Sequence, residues 1–253
     1  MLQDRNYRKP PLIEVFSDFY FDMGDDQEWD PKRLSFFADN IKAFGYTVEK
    51  NLPRAGPRRL RDGMPRAQRT ANWPWRHGFA SEDGNRTAQV GENLLVINQL
   101  PPYYGWQVFK QQALQCFNLY QSVWLSRRIV HAGLHYVDVV RIPGDSFFID
   151  DFFNMYPVLP ETVDKWTVRD LAMSCELQGA TAGDVCSVEF HQRPSADPDF
   201  NMFRFRWDYV RMDGLPPEAM SVESWLDGAH GFLSETFRST FTERCEQLFE
   251  PEE

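Results

Sequence analysis

The stretch Gln89–Phe109, QVGENLLVINQLPPYYGWQVF, constrains the fold more than any other, because it sets an apolar run, a Pro-Pro break and a helix start side by side. Leu94 to Ile97 has the character of a buried strand, and the pattern predicts one strand from Thr87 to Gln99. Pro101 and Pro102 lack the N–H that a ladder requires, and Gly105 permits a sharp turn into a helix entered at Trp106. That helix, running to Leu125, carries Val108, Phe109, Ala113, Leu114, Phe117, Tyr120, Val123 and Trp124 along one broad apolar face. With 253 residues, 42% of them apolar, the chain has enough material to bury both elements in a sizeable core.

Upstream, Ile13, Val15, Phe19 and Phe21 alternate with Glu14, Asp18 and Asp22, which is the pattern of a half-buried strand. Glu14 and Asp18 share its polar side and are candidate acid–base carboxylates. Asp30 caps and Pro31 opens a helix that reaches Phe44, where Gly45 ends it. Arg76–Glu82 forms a hairpin with the strand from Thr87, turning at Asp83-Gly84. His131–Ile142 is a strand followed by Pro143-Gly144, then a short helix with Phe147, Phe148, Ile149, Phe152 and Phe153. Three further strands, Trp166–Leu177, Val185–Gln192 and Met202–Met212, make a meander. In the last of them Phe203, Phe205, Trp207 and Tyr209 face the core, while Arg204, Arg206 and Asp208 face away, where the arginines can meet Glu189 and His191. Ser221 caps a final amphipathic helix extending to Leu248.

Short turns between consecutive strands imply antiparallel pairing, so the expected fold class is α+β: a mainly antiparallel sheet of six to seven strands with three main helices packed on it. The expected organisation is a single α+β domain, 1–253. The order of elements in 1–126 resembles that in 127–253, which suggests two β-α-β-β halves without a residue-level repeat.

Residues 51–78 stand apart as a long arginine-rich loop without helical or strand period. Arg54, Arg58, Arg59, Arg61, Arg66, Arg69 and Arg76, with Trp73 and Trp75 among them, form a candidate partner-binding surface that could engage phosphates and bases or an acidic protein. The net charge of −10 argues against a chain that is basic throughout and binds nucleic acid by charge alone. No apolar run approaches a membrane span and the N-terminus is charged, so a cytoplasmic location is expected. Cys116, Cys175, Cys186 and Cys245 lack metal or disulfide spacing and read as buried free thiols; no metal and no cofactor is expected.

Catalytic candidates are His135 and His230, with Glu14 and Asp18 as carboxylates. His131 and His135 share a strand face but stand about 13 Å apart, too far to hold one metal. No phosphate loop, dinucleotide fingerprint, nucleophile elbow or zinc helix motif occurs.

Four segments in order, PPLIEVFSDFYFD, VGENLLVINQLPPYYGW, LHYVDVVRIPG and WLDGAHGFLSETFRSTFTERCEQLF, resemble a sporadically distributed bacterial family of uncharacterised proteins of about this length. The resemblance implies no catalytic residues; its patchy distribution implies mobile genes such as those of anti-phage defence islands. Where this chain has His135, Asp138 and Val139, that family tends toward basic or amide residues. The resulting expectation is a non-enzymatic binding, regulatory or accessory protein with a protein partner, or a nucleic acid met through the arginine-rich loop. The alternatives are a metal-independent nuclease or small hydrolase built on His135 or His230, and a small-molecule sensor with an aromatic pocket.

Overall fold

The structure, a computed structural model, describes residues 7–24, 30–51, 76–91, 93–144, 147–158 and 171–252. It is an α+β fold. Among the described residues nine strands form one sheet: β1 (Leu12–Asp22), β2 (Val48–Asn51), β3 (His77–Ala80), β4 (Arg86–Gly91), β5 (Leu94–Gln99), β6 (Arg128–Pro143), β7 (Ala172–Gln178), β8 (Asp184–Arg193) and β9 (Phe200–Arg211). Their order is β2-β3-β4-β5-β1-β6-β9-β8-β7. The β2–β3, β3–β4, β4–β5, β1–β5 and β7–β8 pairs are all antiparallel. Four α-helices accompany the sheet: α1 (Pro31–Ile41), α2 (Trp106–Trp124), α3 (Ala219–Thr240) and α4 (Glu243–Gln247).

The expected six to seven strands and three helices are therefore too few, for identifiable reasons. The run Thr87–Gln99 is not one strand but two antiparallel ones, with Gly91 of β4 paired to Leu94 of β5. Apolar residues on both sides concealed the break. A further strand, β2, follows the helix whose last turn ends at Gly45, a glycine at φ +85° that an L side chain would strain. The last helix starts at Ala219, ahead of the expected Ser221 cap, and breaks after Thr240. Phe241 makes a bridge to Phe153, and the Thr242 hydroxyl then accepts from Cys245 N at 3.2 Å to cap α4. Of the expected strand Trp166–Leu177, β7 is the described part, and 166–170 lie outside the described residues.

The chain separates into two compact units. One comprises Val15–Leu134 and Val210–Leu226, the other Met1–Glu14, His135–Tyr209 and Asp227–Glu253.

In the first unit, Val15, Ser17, Phe19 and Phe21 of β1 turn to the buried side. Phe19 packs on Phe117 with ring centroids 5.4 Å apart, and Phe21 stacks on Tyr120 at 4.4 Å, both rings belonging to α2. The alternation dictates this, since period two sends one apolar set to the helix. Asp30 caps α1 by accepting from Lys32 N at 2.8 Å, and Phe37 and Ile41 of that helix are buried, Phe37 against Trp124.

In the second unit, Phe203, Phe205, Trp207 and Tyr209 of β9 form the buried row. Phe205 and Trp207 lie nearly parallel at 5.7 Å, Phe241 meets Phe205 edge-on at 5.0 Å, and Phe237 approaches Trp207 at 6.1 Å. Aromatic pairs in these offset and edge arrangements add to the burial of area itself. Residues 227–250 thus cover the aromatic row of β9 within this unit.

Candidate functional site

β6 concentrates the chemistry. Over its 16 residues it buries three ionisable side chains, His131, His135 and Asp138, among apolar neighbours such as Ile129, Leu134, Val137 and Val140. Groups of this kind are rarely buried unless paired. Each has a different partner.

His135 faces away from the aromatic layer of its unit. Its Nδ1 lies 2.5 Å from Asp208 Oδ1 on β9, and Arg206 Nε donates to both Asp208 oxygens at 2.9 Å. Arg206 and Asp208 are two residues apart, so the pleat places both on one face. Burial pushes the Asp208 carboxyl up, but the charges and hydrogen bonds of His135 and Arg206 outweigh it and draw the group down to about 2. The result is an ionised carboxylate held between the His135 ring and the Arg206 guanidinium. His135 is oriented as a general base would be, yet it is only 5% exposed.

Asp138 points the other way, into the aromatic layer of the same unit. Trp207 Nε1 donates to its Oδ2 at 2.6 Å, and Asp138 is 2% exposed. Among the described residues the indole is its hydrogen-bond partner, and no basic side chain pairs with it. Burial therefore dominates and lifts the carboxyl to about 7, with the indole bond opposing it. In the sequence Asp138 stands out only as a departure from the resembled family, not as a site residue. The signal was present: a lone acid in the row of Leu134, Val140 and Ile142, two-residue period intact.

His230 on α3 places Nδ1 2.9 Å from Tyr136 Oη and Nε2 3.4 Å from Ser234 Oγ. Tyr136 shares the Asp138 side of β6, so His230 lies on the opposite face of that strand from His135. The two histidines do not meet. The Tyr136–His230–Ser234 chain ties α3 to the strand beneath it.

In the other unit, His131 Nε2 lies 3.4 Å from Asp18 Oδ1, and its Nδ1 is 3.3 Å from Met212 Sδ. Tyr20 packs edge-on against His131 at 5.2 Å. Burial, reinforced by the Asp18 charge, raises the Tyr20 phenol to about 12 against the opposing charge and hydrogen bond of Arg76. Arg76 Nη1 also donates to Gln89 Oε1 at 3.4 Å. Its guanidinium thus anchors the start of β3 to the sheet. Glu14, half-buried on β1, falls in the other unit from Asp18.

The remaining expected partner-binding residues, Arg54, Arg58, Arg59, Arg61, Arg66, Arg69, Trp73 and Trp75, lie outside the described residues. All four cysteines are free; Cys116, Cys186 and Cys245 are buried, whereas Cys175 on β7 is half-exposed, contrary to the expectation of four buried thiols. Among the described residues no group of three or more His, Cys, Asp or Glu side chains is placed to hold a metal ion. Nor is any helix among them long and apolar enough to cross a membrane. No protein-family model matches the chain, and comparison with curated proteins returns no match.

Proposed function

We propose that this chain is a non-enzymatic binding or regulatory protein that engages a protein or nucleic-acid partner through Arg54 to Arg76. The observation that carries this reading is the dispersal of the acid–base candidates. His135 and His230 occupy opposite faces of β6 and are each tied into hydrogen bonds that brace the fold. Acid–base catalysis needs such groups convergent on one reacting atom. The anchoring of Arg76 on Tyr20 and Gln89 gives the arginine-rich stretch a rigid exit point at β3.

Replacing Arg58, Arg59 and Arg61 together with alanine is the test. Pull-down with mass spectrometry should show loss of a specific partner with the melting temperature unchanged. A fall in melting temperature with partner capture intact would assign those arginines to the fold and remove the proposal.

A further inference from the structure

Asp138 has no structural need to be an acid. In the inward row of β6, Leu134, Val140 and Ile142 are fully buried and Tyr136 is half-buried, and an apolar side chain at position 138 would continue that row. The carboxyl instead meets Trp207, which, with Phe205 and Tyr209 on the same strand, packs against the C-terminal layer. Its indole lies 6.1 Å from the ring of Phe237 and 6.2 Å from that of Phe241. Those rings pack in turn on Phe249, which meets Tyr7 edge-on at 5.6 Å. The state of one carboxyl therefore bears on a continuous aromatic layer.

The other ionisable groups brought to this side are engaged elsewhere. Tyr136 on β6 bonds His230 of α3, Tyr209 on β9 donates to Asp184 of β8 at 2.9 Å, and Tyr7 donates to Glu246 of α4 at 3.4 Å. Cys186 on β8 and Cys245 on α4 are thiols that burial pushes up, so both are neutral. None supplies a positive charge to Asp138. A buried carboxylate with one neutral donor is poorly compensated, and the alternatives are to keep its proton or to admit water.

We propose that Asp138 and Trp207 form a proton-operated latch: with Asp138 protonated, residues 227–250 stay closed on the sheet, and loss of the proton favours their opening. The displacement of the carboxyl to about 7 agrees with this geometry and sets the range in which the latch works. Closing binds a proton and opening releases it, so the open form gains from rising pH until the closed form ionises too. Opening would expose Phe237, Phe241 and Phe249, an apolar surface whose display is set by pH.

Hydrogen exchange of the full-length chain, followed by mass spectrometry on peptides within 232–249, tests the latch. After correction for the chemical rate, exchange should quicken roughly tenfold per pH unit between about pH 5 and 7, the slope of one linked proton, and level off above. Asp138→Asn should abolish that slope, and His230→Gln should leave it in place. Trp207→Phe should move the levelling point to higher pH, because the indole bond favours the ionised form. A flat wild-type profile, an Asn variant with the full slope, or a His230→Gln variant without it would each overturn the latch. Should the Asn variant fail to fold, an unmoved levelling point in Trp207→Phe overturns it equally.

Discussion

Asp138 and Asp208 stand on neighbouring strands of one compact unit, Asp138 buried and Asp208 half-buried, and face opposite sides of the sheet. Asp208 meets an imidazole and a guanidinium, and is drawn to about 2; Asp138 meets an indole, and is lifted to about 7. Burial opposes ionisation in both. What differs is whether the donor carries charge, since a charged donor offsets desolvation of a carboxylate whereas a neutral N–H offsets only part of it. A carboxylate in a protein interior is thus a different chemical object depending on which face of a strand its Cβ leaves.

The difference gives the two groups opposite linkage to pH. Asp208 has a folded value below its unfolded value near 4, so its contribution is present above about pH 4 and is lost as pH falls toward 2. Asp138 has a folded value above its unfolded one, so its contribution is complete below about pH 4 and is lost as pH rises toward 7. Changes that remove one member should break the comparison in predictable ways.

The largest effect is expected from Asp208→Ala. It strands His135 and Arg206 without their carboxylate, and unfolding by urea at pH 7 should show a loss of about 3–5 kcal/mol, the range for breaking a buried pair from one side. A loss below 1 kcal/mol would place Asp208 among weakly coupled surface charges. Next is Asp138→Asn, whose amide oxygen can still accept from Trp207. It should stabilise the fold by about 1–3 kcal/mol at pH 8, from the ionisation penalty removed, and change little at pH 4, where the carboxyl is already protonated. Equal effects at both pH values would indicate packing and not charge. Smaller again is Arg206→Gln, which removes the guanidinium of a partly exposed side chain from Asp208; a loss of about 1 kcal/mol at pH 7 is expected. The same variant should raise the Asp208 carboxyl without touching Asp138, and carboxyl NMR shifts would report both.

Much of this architecture could be read before the structure, and the exceptions have physical causes. The Pro101-Pro102 and Gly105 boundary marked the start of α2 at Trp106, because those residues restrict the backbone locally. The inward row Phe203, Phe205, Trp207 and Tyr209 followed from period two alone. Local rules failed where two strands adjoin: β4 and β5 read as one run because apolar residues, Ala88 and Val90 before the turn and Leu94 to Ile97 after it, occur on both sides. They failed again at Phe241, where a contact with Phe153, far away in sequence, ends a helix whose apolar stripe continues. The site was the least legible part. His135 and Asp208 are 73 residues apart, and Asp138 and Trp207 are 69 apart. Which acid meets a cation and which meets an indole depends on the β6–β9 register, and no window along the chain contains it.

The contrast between the two acids rests on their protonation, which can be observed directly. Carbon-13 NMR of the aspartate carboxyls, titrated from pH 2 to 8 and assigned with Asp138→Asn and Asp208→Asn, is the decisive measurement. The account predicts that the Asp138 signal titrates near pH 7 and that the Asp208 signal stays ionised down to about pH 2. Two signals that both titrate in the ordinary aspartate range near pH 4 would contradict it.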